Sequence, residues 1–113
     1  MAASQEVFLV ATQILKEAVS RKASEIHLER SGDKASVAYV AGGKKARSRS
    51  LPKKRFSAVL GRFKALGKLP PESKERFQTG SFTMSVPRRF TVDVCAVSAR
   101  SGERVVLKLR EDA

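Results

Sequence analysis

Ala23-Ser24-Glu25-Ile26-His27-Leu28-Glu29 decides how this chain is read, because the spacing of apolar residues changes there within a few positions. Inside the stretch, Ile26 and Leu28 alternate with Glu25, His27 and Glu29, the pattern of a strand with one buried face. Upstream, from Glu6 to about Arg21, Val7, Val10, Ala11, Ile14, Ala18 and Val19 recur at the spacing of one helical face. Ser4 is the expected N-cap, and Glu6 suits the positive end of the helix dipole. The chain therefore opens as a helix that feeds directly into a strand.

Working outward, Val37, Tyr39 and Val40 mark a second strand, which Gly42-Gly43 turns into a basic third segment from Lys44 to Ser50. A second helix is expected to start near Pro52, with Ser50 or Leu51 just outside it. Phe56, Val59, Leu60, Phe63 and Leu66 form its apolar face, and Gly67 followed by Pro70-Pro71 ends it. Three alternating segments follow: Phe82/Met84/Val86, Phe90/Val92/Val94/Ala96 and Val105/Leu107/Leu109. Their turns centre on Pro87-Arg88 and on Ala99 to Gly102. Several strands with two helices point to an α+β fold with a mostly antiparallel sheet of about five to six strands. Strand order is not written in this pattern.

A chain of 113 residues suits one core, so residues 1–113 are expected to be a single domain. No apolar run approaches the roughly 18 residues that span a bilayer. Met1-Ala2-Ala3-Ser4 has neither the basic start nor the apolar stretch of a signal peptide, which makes the cytoplasm the expected location. Cys95 is the only cysteine and His27 the only histidine, so we expect no internal disulfide, no metal and no cofactor.

The net charge is +12, and it is uneven. Residues 44 to 76 hold twelve Lys and Arg against Glu72 and Glu75, which places +10 in that segment. Such a field attracts nucleic acid, acidic lipid, nucleotides or acidic protein faces without choosing among them. Lys44, Lys45, Arg47 and Arg49, joined by Lys53, Lys54 and Arg62 on the second helix, form the candidate anion or partner surface. Phe56 and Phe63 belong to the core stripe, which leaves Phe77 and Tyr39 as the aromatic candidates for base stacking.

Three ordered stretches resemble the region that precedes the motor domain in the ATPases of type II secretion and type IV pili. The first is Ala23 to Glu29, similar to the family's Ala-Ser-Asp-Ile-His-(Ile/Leu)-Glu strand, with Glu25 where the family has Asp. The second runs from Arg62 to Leu69 and on through Glu75-Arg76-Phe77-Gln78-Thr79-Gly80, and it resembles a helix end and an Arg-Pro-Gln-Asp-Gly turn. The third, Gly102-Glu103-Arg104-Val105-Val106-Leu107-Lys108-Leu109, resembles the family's Gly-Glu-(Lys/Arg)-Val-Val-(Leu/Met)-Arg-Leu strand. The resemblance implies a PAS-like sheet with helices against one face. It also implies that two positions on the last two strands, arginines in the family, reach toward nucleotide on the motor domain. Those positions read Asp93 and Lys108 here, one reversed in charge and one unable to form arginine's bidentate fork. Likewise the family's Arg-Asp-Gly-type strand end reads Tyr39-Val40-Ala41-Gly42, and its polar turn reads Arg76-Phe77-Gln78-Thr79-Gly80-Ser81.

No constellation in the chain supplies catalysis. A Walker loop needs a glycine where Ala38 stands and a Ser or Thr where Lys45 stands, so Ala41-Gly42-Gly43-Lys44-Lys45 does not make one. His27 is expected on the outward face of its strand as a structural residue, and Cys95, opposite in face to Val92, Val94 and Ala96, has no second histidine to activate it. The expectation is a domain that is not an enzyme, acting as an adaptor or regulator of secretion or pilus machinery through a protein partner such as the ATPase or its assembly platform. It would be a monomer or weak dimer, and partners would bring it to the inner face of the membrane. Met1 and the Glu111-Asp112-Ala113 ending suit a small complete protein, although the excised N-terminal domain of a divergent ATPase would read the same. The alternative is a basic module binding nucleic acid or a nucleotide messenger.

Overall fold

The computed structural model describes residues 2–31, 34–70, 75–85, 88–99 and 102–112. The elements run α1 (Ala2–Ser20), β1 (Glu25–Ser31), β2 (Lys34–Ala41), β3 (Lys44–Leu51), α2 (Lys53–Leu66), β4 (Phe77–Ser85), β5 (Arg89–Ala99) and β6 (Gly102–Glu111). The six strands form one sheet in the order β3-β2-β1-β6-β5-β4, and every neighbouring pair is antiparallel. Two meanders of three strands thus meet at β1 and β6, where Ile26 stands opposite Leu107 and Leu28 opposite Val105. The α+β architecture with two helices and a six-stranded antiparallel sheet agrees with the sequence reading.

Both helices cover the same face of the sheet. Ile26, Leu28, Val37, Tyr39, Val92, Val94, Val105 and Leu107 point inward and are all but inaccessible, as are Ile14 of α1 and Phe56, Val59 and Phe63 of α2. Tyr39 is fully buried and its hydroxyl donates to the Ile14 carbonyl and to Glu17 Oε2, each at 3.2 Å, so its one polar atom is satisfied. The Gly42-Gly43 turn has both glycines at positive φ, 60° and 78°, as a two-residue hairpin loop requires.

Helix ends differ from the sequence reading. α1 already runs at Ala2, so Ser4 lies inside the helix and is not its N-cap; Ala2-Ala3 extend it because alanine is the best helix former. α2 takes Pro52 itself as N-cap, with no side-chain cap bond and three cations, Lys53, Lys54 and Arg55, in its first turn.

At their C-termini the two helices end in one motif. Ala23 N–H donates to Ala18 C=O and Lys22 N–H to Val19 C=O; Leu69 N–H donates to Lys64 C=O and Lys68 N–H to Ala65 C=O. The left-handed residue is a lysine each time, Lys22 at φ 56° and Lys68 at φ 60°. Gly67 is therefore not the left-handed terminator: its φ is −79°, and it is small because a Cβ there would come within 3.0 Å of Val94 Cγ2.

Residues 77–81, read above as a turn, belong to β4. Gly80 sits mid-strand opposite Val94, because the Gly67 carbonyl crosses where a side chain would stand. Pro87, Arg100 and Ser101, of the expected turns, and Val86, expected in a strand, fall outside the described residues.

Candidate functional site: the uncovered face of the sheet

Alternation along each strand sends every second side chain to the face that carries no helix, and the registers arrange these residues in rows. The central row runs Arg47, Ala38, His27, Val106, Cys95, Thr79 across all six strands. On one side lies Lys45, Val40, Glu25, Lys108, Asp93, Ser81; on the other lies Ser50, Ser36, Glu29, Arg104, Val97, Phe77. The central row thus places Ala38 on one side of His27 and the adjacent Val106 and Cys95 on the other, flanked by rows in which both signs of charge appear. Phe77, 58% exposed, ends the Glu29 row at the β4 edge, beside Val97.

His27 stands on this face between two carboxylates of its own strand, with Nε2 2.8 Å from Glu25 Oε1 and Nδ1 3.3 Å from Glu29 Oε1. Glu29 also receives Lys45 Nζ at 2.7 Å and lies 3.8 Å from Arg104 Nε. The Lys45 hydrogen bond outweighs partial burial and, with the Lys45, His27 and Arg104 contributions, holds the Glu29 carboxyl below its usual range. Cys95 is half-buried between its register partners Val106 and Thr79.

Asp93 and Lys108 are direct partners across β5 and β6. Asp93 nevertheless turns to Arg110, two residues along β6, and accepts its Nε and Nη2 at 3.1 and 3.2 Å. The carboxylate is thereby occupied by a bidentate arginine, and Lys108 has no ion-pair partner among the described residues.

The cations that lie close in sequence from Lys44 to Arg62 are divided by the fold. Lys45 and Arg47 lie on the uncovered face and Lys44 beside the Gly42-Gly43 turn. A β-bulge between Val37 and Ala38 on one side and Arg49 and Arg47 on the other shifts β3 in phase, so that Arg49 faces the helices and donates to Glu17 at 2.8 Å. Lys53 and Lys54 sit on the exposed first turn of α2. Arg62 lies 5.2 Å from the Phe8 ring centroid, stacked on α1. Arg55 and Lys64, neighbours of that set, pair with Glu6 and Glu103. The structure thus brings Lys45 and Arg47 together and separates them from Arg49, Lys53, Lys54 and Arg62.

The model of the Type II/IV secretion system protein family matches residues 2–113. The chain belongs to that family. It is 28% identical over 110 residues, 96% of its length, to type II secretion system protein E of Xanthomonas campestris pv. campestris. It spans 19% of that relative, so it corresponds to about a fifth of the longer protein. Among the described residues no helix is long and apolar enough to cross a membrane.

Sequence reasoning did not single out Arg104, Ser36 or Ser50. Arg104 and Ser36 flank Glu29 only because β1 is sandwiched between β2 and β6, and Ser50 joins them only through the bulge. The alternation of β6 did contain the signal that Arg104, Val106 and Lys108 share a face.

Proposed function

We propose that this chain is a non-catalytic, PAS-like domain of the secretion ATPase family that works through protein contacts, as an adaptor or regulator of a secretion or pilus ATPase or as the corresponding domain of a divergent ATPase. The observation that carries this reading is the uncovered sheet face, where Ala38, Val106 and Cys95 stand around His27 between charged rows, on a chain that matches the family over residues 2–113. A sheet face with an apolar centre and a polar rim has the anatomy of a non-obligate protein interface. The two positions that correspond to nucleotide-facing arginines support a contact role over a nucleotide-sensing one, since Asp93 is already engaged by Arg110. The partner would be the ATPase or its assembly platform, met at the cytoplasmic side of the membrane, with the chain itself a monomer or weak dimer.

The test is capture of secretion and pilus components from cells of the source organism by the tagged chain, followed by reconstitution with the purified ATPase. Recovery of the ATPase or its platform is the expected result; recovery of no component of either system removes the adaptor reading.

A second reading, an anion-binding module, is favoured by one observation. Lys44, Arg47, Lys53 and Lys54 have no ion-pair partner among the described residues. Binding through them would weaken steeply with salt.

A further inference from the structure

At the end of the uncovered face, where β1, β2 and β3 meet the start of β6, a cleft of about 590 Å³ opens. That is the size of a small-ligand site. Its lining brings together Lys34, Arg47 and Arg104 from three strands, with the Ser36 and Ser50 hydroxyls between them, while Arg30 borders it from the inward phase of β1, opposite buried Ala35. Ser36 and Ser50 are register partners on β2 and β3. The bulge in β3 creates this grouping. In strict alternation Arg47 and Ser50, three residues apart, would face opposite ways; the inserted residue turns both to the cleft.

Glu29, on the same face, is engaged by Lys45; Glu103 borders the cleft too, but it has the inward phase of β6 and is paired with Lys64 of α2. Lys34 and Arg47 carry no ion pair among the described residues, and Arg104 is held only loosely, 3.8 Å from Glu29. The cleft therefore presents Lys34 and Arg47, without ion pairs among the described residues, and two hydroxyls, with the nearest acidic neighbour on the face, Glu29, already engaged by Lys45. Guanidinium forks and short hydroxyls are the groups that bind phosphate oxygens at low geometric cost.

We infer that this cleft binds a small ligand through a phosphate or diphosphate group, with Arg47 and Lys34 as principal donors and Arg104, Ser36 and Ser50 completing the set. A nucleic-acid backbone suits it poorly. Beyond the cleft the same face carries Glu25 and Asp93, so there is no continuous cationic track for a polymer to follow. The position is also distinct from Asp93 and Lys108, since Arg104 lies four residues before Lys108 on β6. The inference narrows the anion-binding reading to one place and rests on that reading's charge argument, while needing no protein partner.

The experiment is titration of the isotope-labelled full chain with inorganic pyrophosphate, ADP, adenosine and a single-stranded DNA dodecamer, followed through backbone amide signals. Pyrophosphate and ADP should shift Ser36, Ser50 and Gly102 saturably while adenosine does not. Equal affinity for the two would mean that the phosphates alone are read; tighter ADP would mean that the nucleoside is held as well, and either supports the site. Arg47→Ala should weaken binding about tenfold or more, the worth of one charge-assisted pair, and Lys53→Ala/Lys54→Ala should leave it unchanged. Phosphate binding that maps to the start of α2, or that Arg47→Ala does not affect, overturns the cleft but keeps the anion-binding reading. DNA binding tighter than ADP also overturns the small-ligand assignment, and no binding by any anion removes both.

Discussion

Arg49 on the edge strand β3 donates through Nη2 to Glu17 Oε2 of α1 at 2.8 Å, across 32 residues of sequence. The contact depends on the bulge, because unbroken alternation would point Arg49 to the opposite face of the sheet with Arg47. Glu17 also accepts from Ser48 at 3.1 Å and Tyr39 at 3.2 Å and pairs with Arg21 at 2.8 Å. One carboxylate thus ties β2, β3 and the end of α1 together and satisfies the hydroxyl of the largest buried side chain. Burial, helped by the Glu17 charge, pushes the Tyr39 phenol well above its ordinary value and keeps it a donor.

That knot predicts an acid dependence. Partial burial pushes the Glu17 carboxyl up, and the Arg49, Ser48 and Tyr39 hydrogen bonds with the Arg21 charge more than reverse it, leaving it below its ordinary 4.5. A carboxyl lowered by folding contributes stability that is full above its unfolded value and is lost as pH falls through the folded one. Glu17→Gln should cost about 1–3 kcal/mol at neutral pH. Denaturant unfolding across pH should show the mutant and parent curves converging below 4.5; a constant gap would contradict the linkage.

The two lysines at the helix ends predict a gain. A side chain in the left-handed region costs about 1 kcal/mol, which glycine does not pay. Lys22→Gly and Lys68→Gly should each stabilise the chain by about that amount, additively, since they end different helices. Thermal unfolding of the two single variants and the double measures it directly.

Glycines 61 and 80 predict opposite signs for the same change. Gly61 lies in α2 with nothing within 4 Å of a new Cβ, so Gly61→Ala should stabilise by about 1 kcal/mol. At Gly80 the Cβ would overlap the Gly67 carbonyl oxygen and press on Leu69, so Gly80→Ala should destabilise by about 2 kcal/mol or more. Equal effects in urea unfolding would show that α2 does not end over β4 as described.

The junction of the two meanders predicts a large loss. Leu107 is fully buried between Ile26 and Val94. Leu107→Ala should cost about 3–5 kcal/mol, whereas Lys108→Ala, its exposed neighbour, should change stability by under about 0.5 kcal/mol. Chemical denaturation of both variants separates a buried row from an exposed one.

Which parts of this fold the sequence displayed follows from where apolar residues mark a phase. Ile26 and Leu28 against Glu25, His27 and Glu29 made β1 and its outward face readable, and Val105, Leu107 and Leu109 did the same for β6. Their mutual pairing was not readable, because no local pattern records which strands meet across about eighty residues. β3 holds only Ala46 and Leu51 as apolar residues, so nothing fixed its phase and the bulge, with the face of Arg49 and Ser50, stayed hidden. The start of β4 was masked because Gln78 and Gly80 occupy its inward positions, where a strand would show apolar side chains. The left-handed lysines were invisible for lack of the glycine that marks such ends.

The measurement that bears most directly on the proposed role is equilibrium binding of the purified chain to the assembled secretion or pilus ATPase of its source organism, with Val106→Glu on the uncovered face and Lys16→Glu on α1 as paired variants. The account predicts saturable binding that Val106→Glu abolishes and Lys16→Glu leaves intact, both variants being folded by circular dichroism. Absence of binding by the parent chain, or loss of binding through Lys16→Glu with Val106→Glu unaffected, would contradict it.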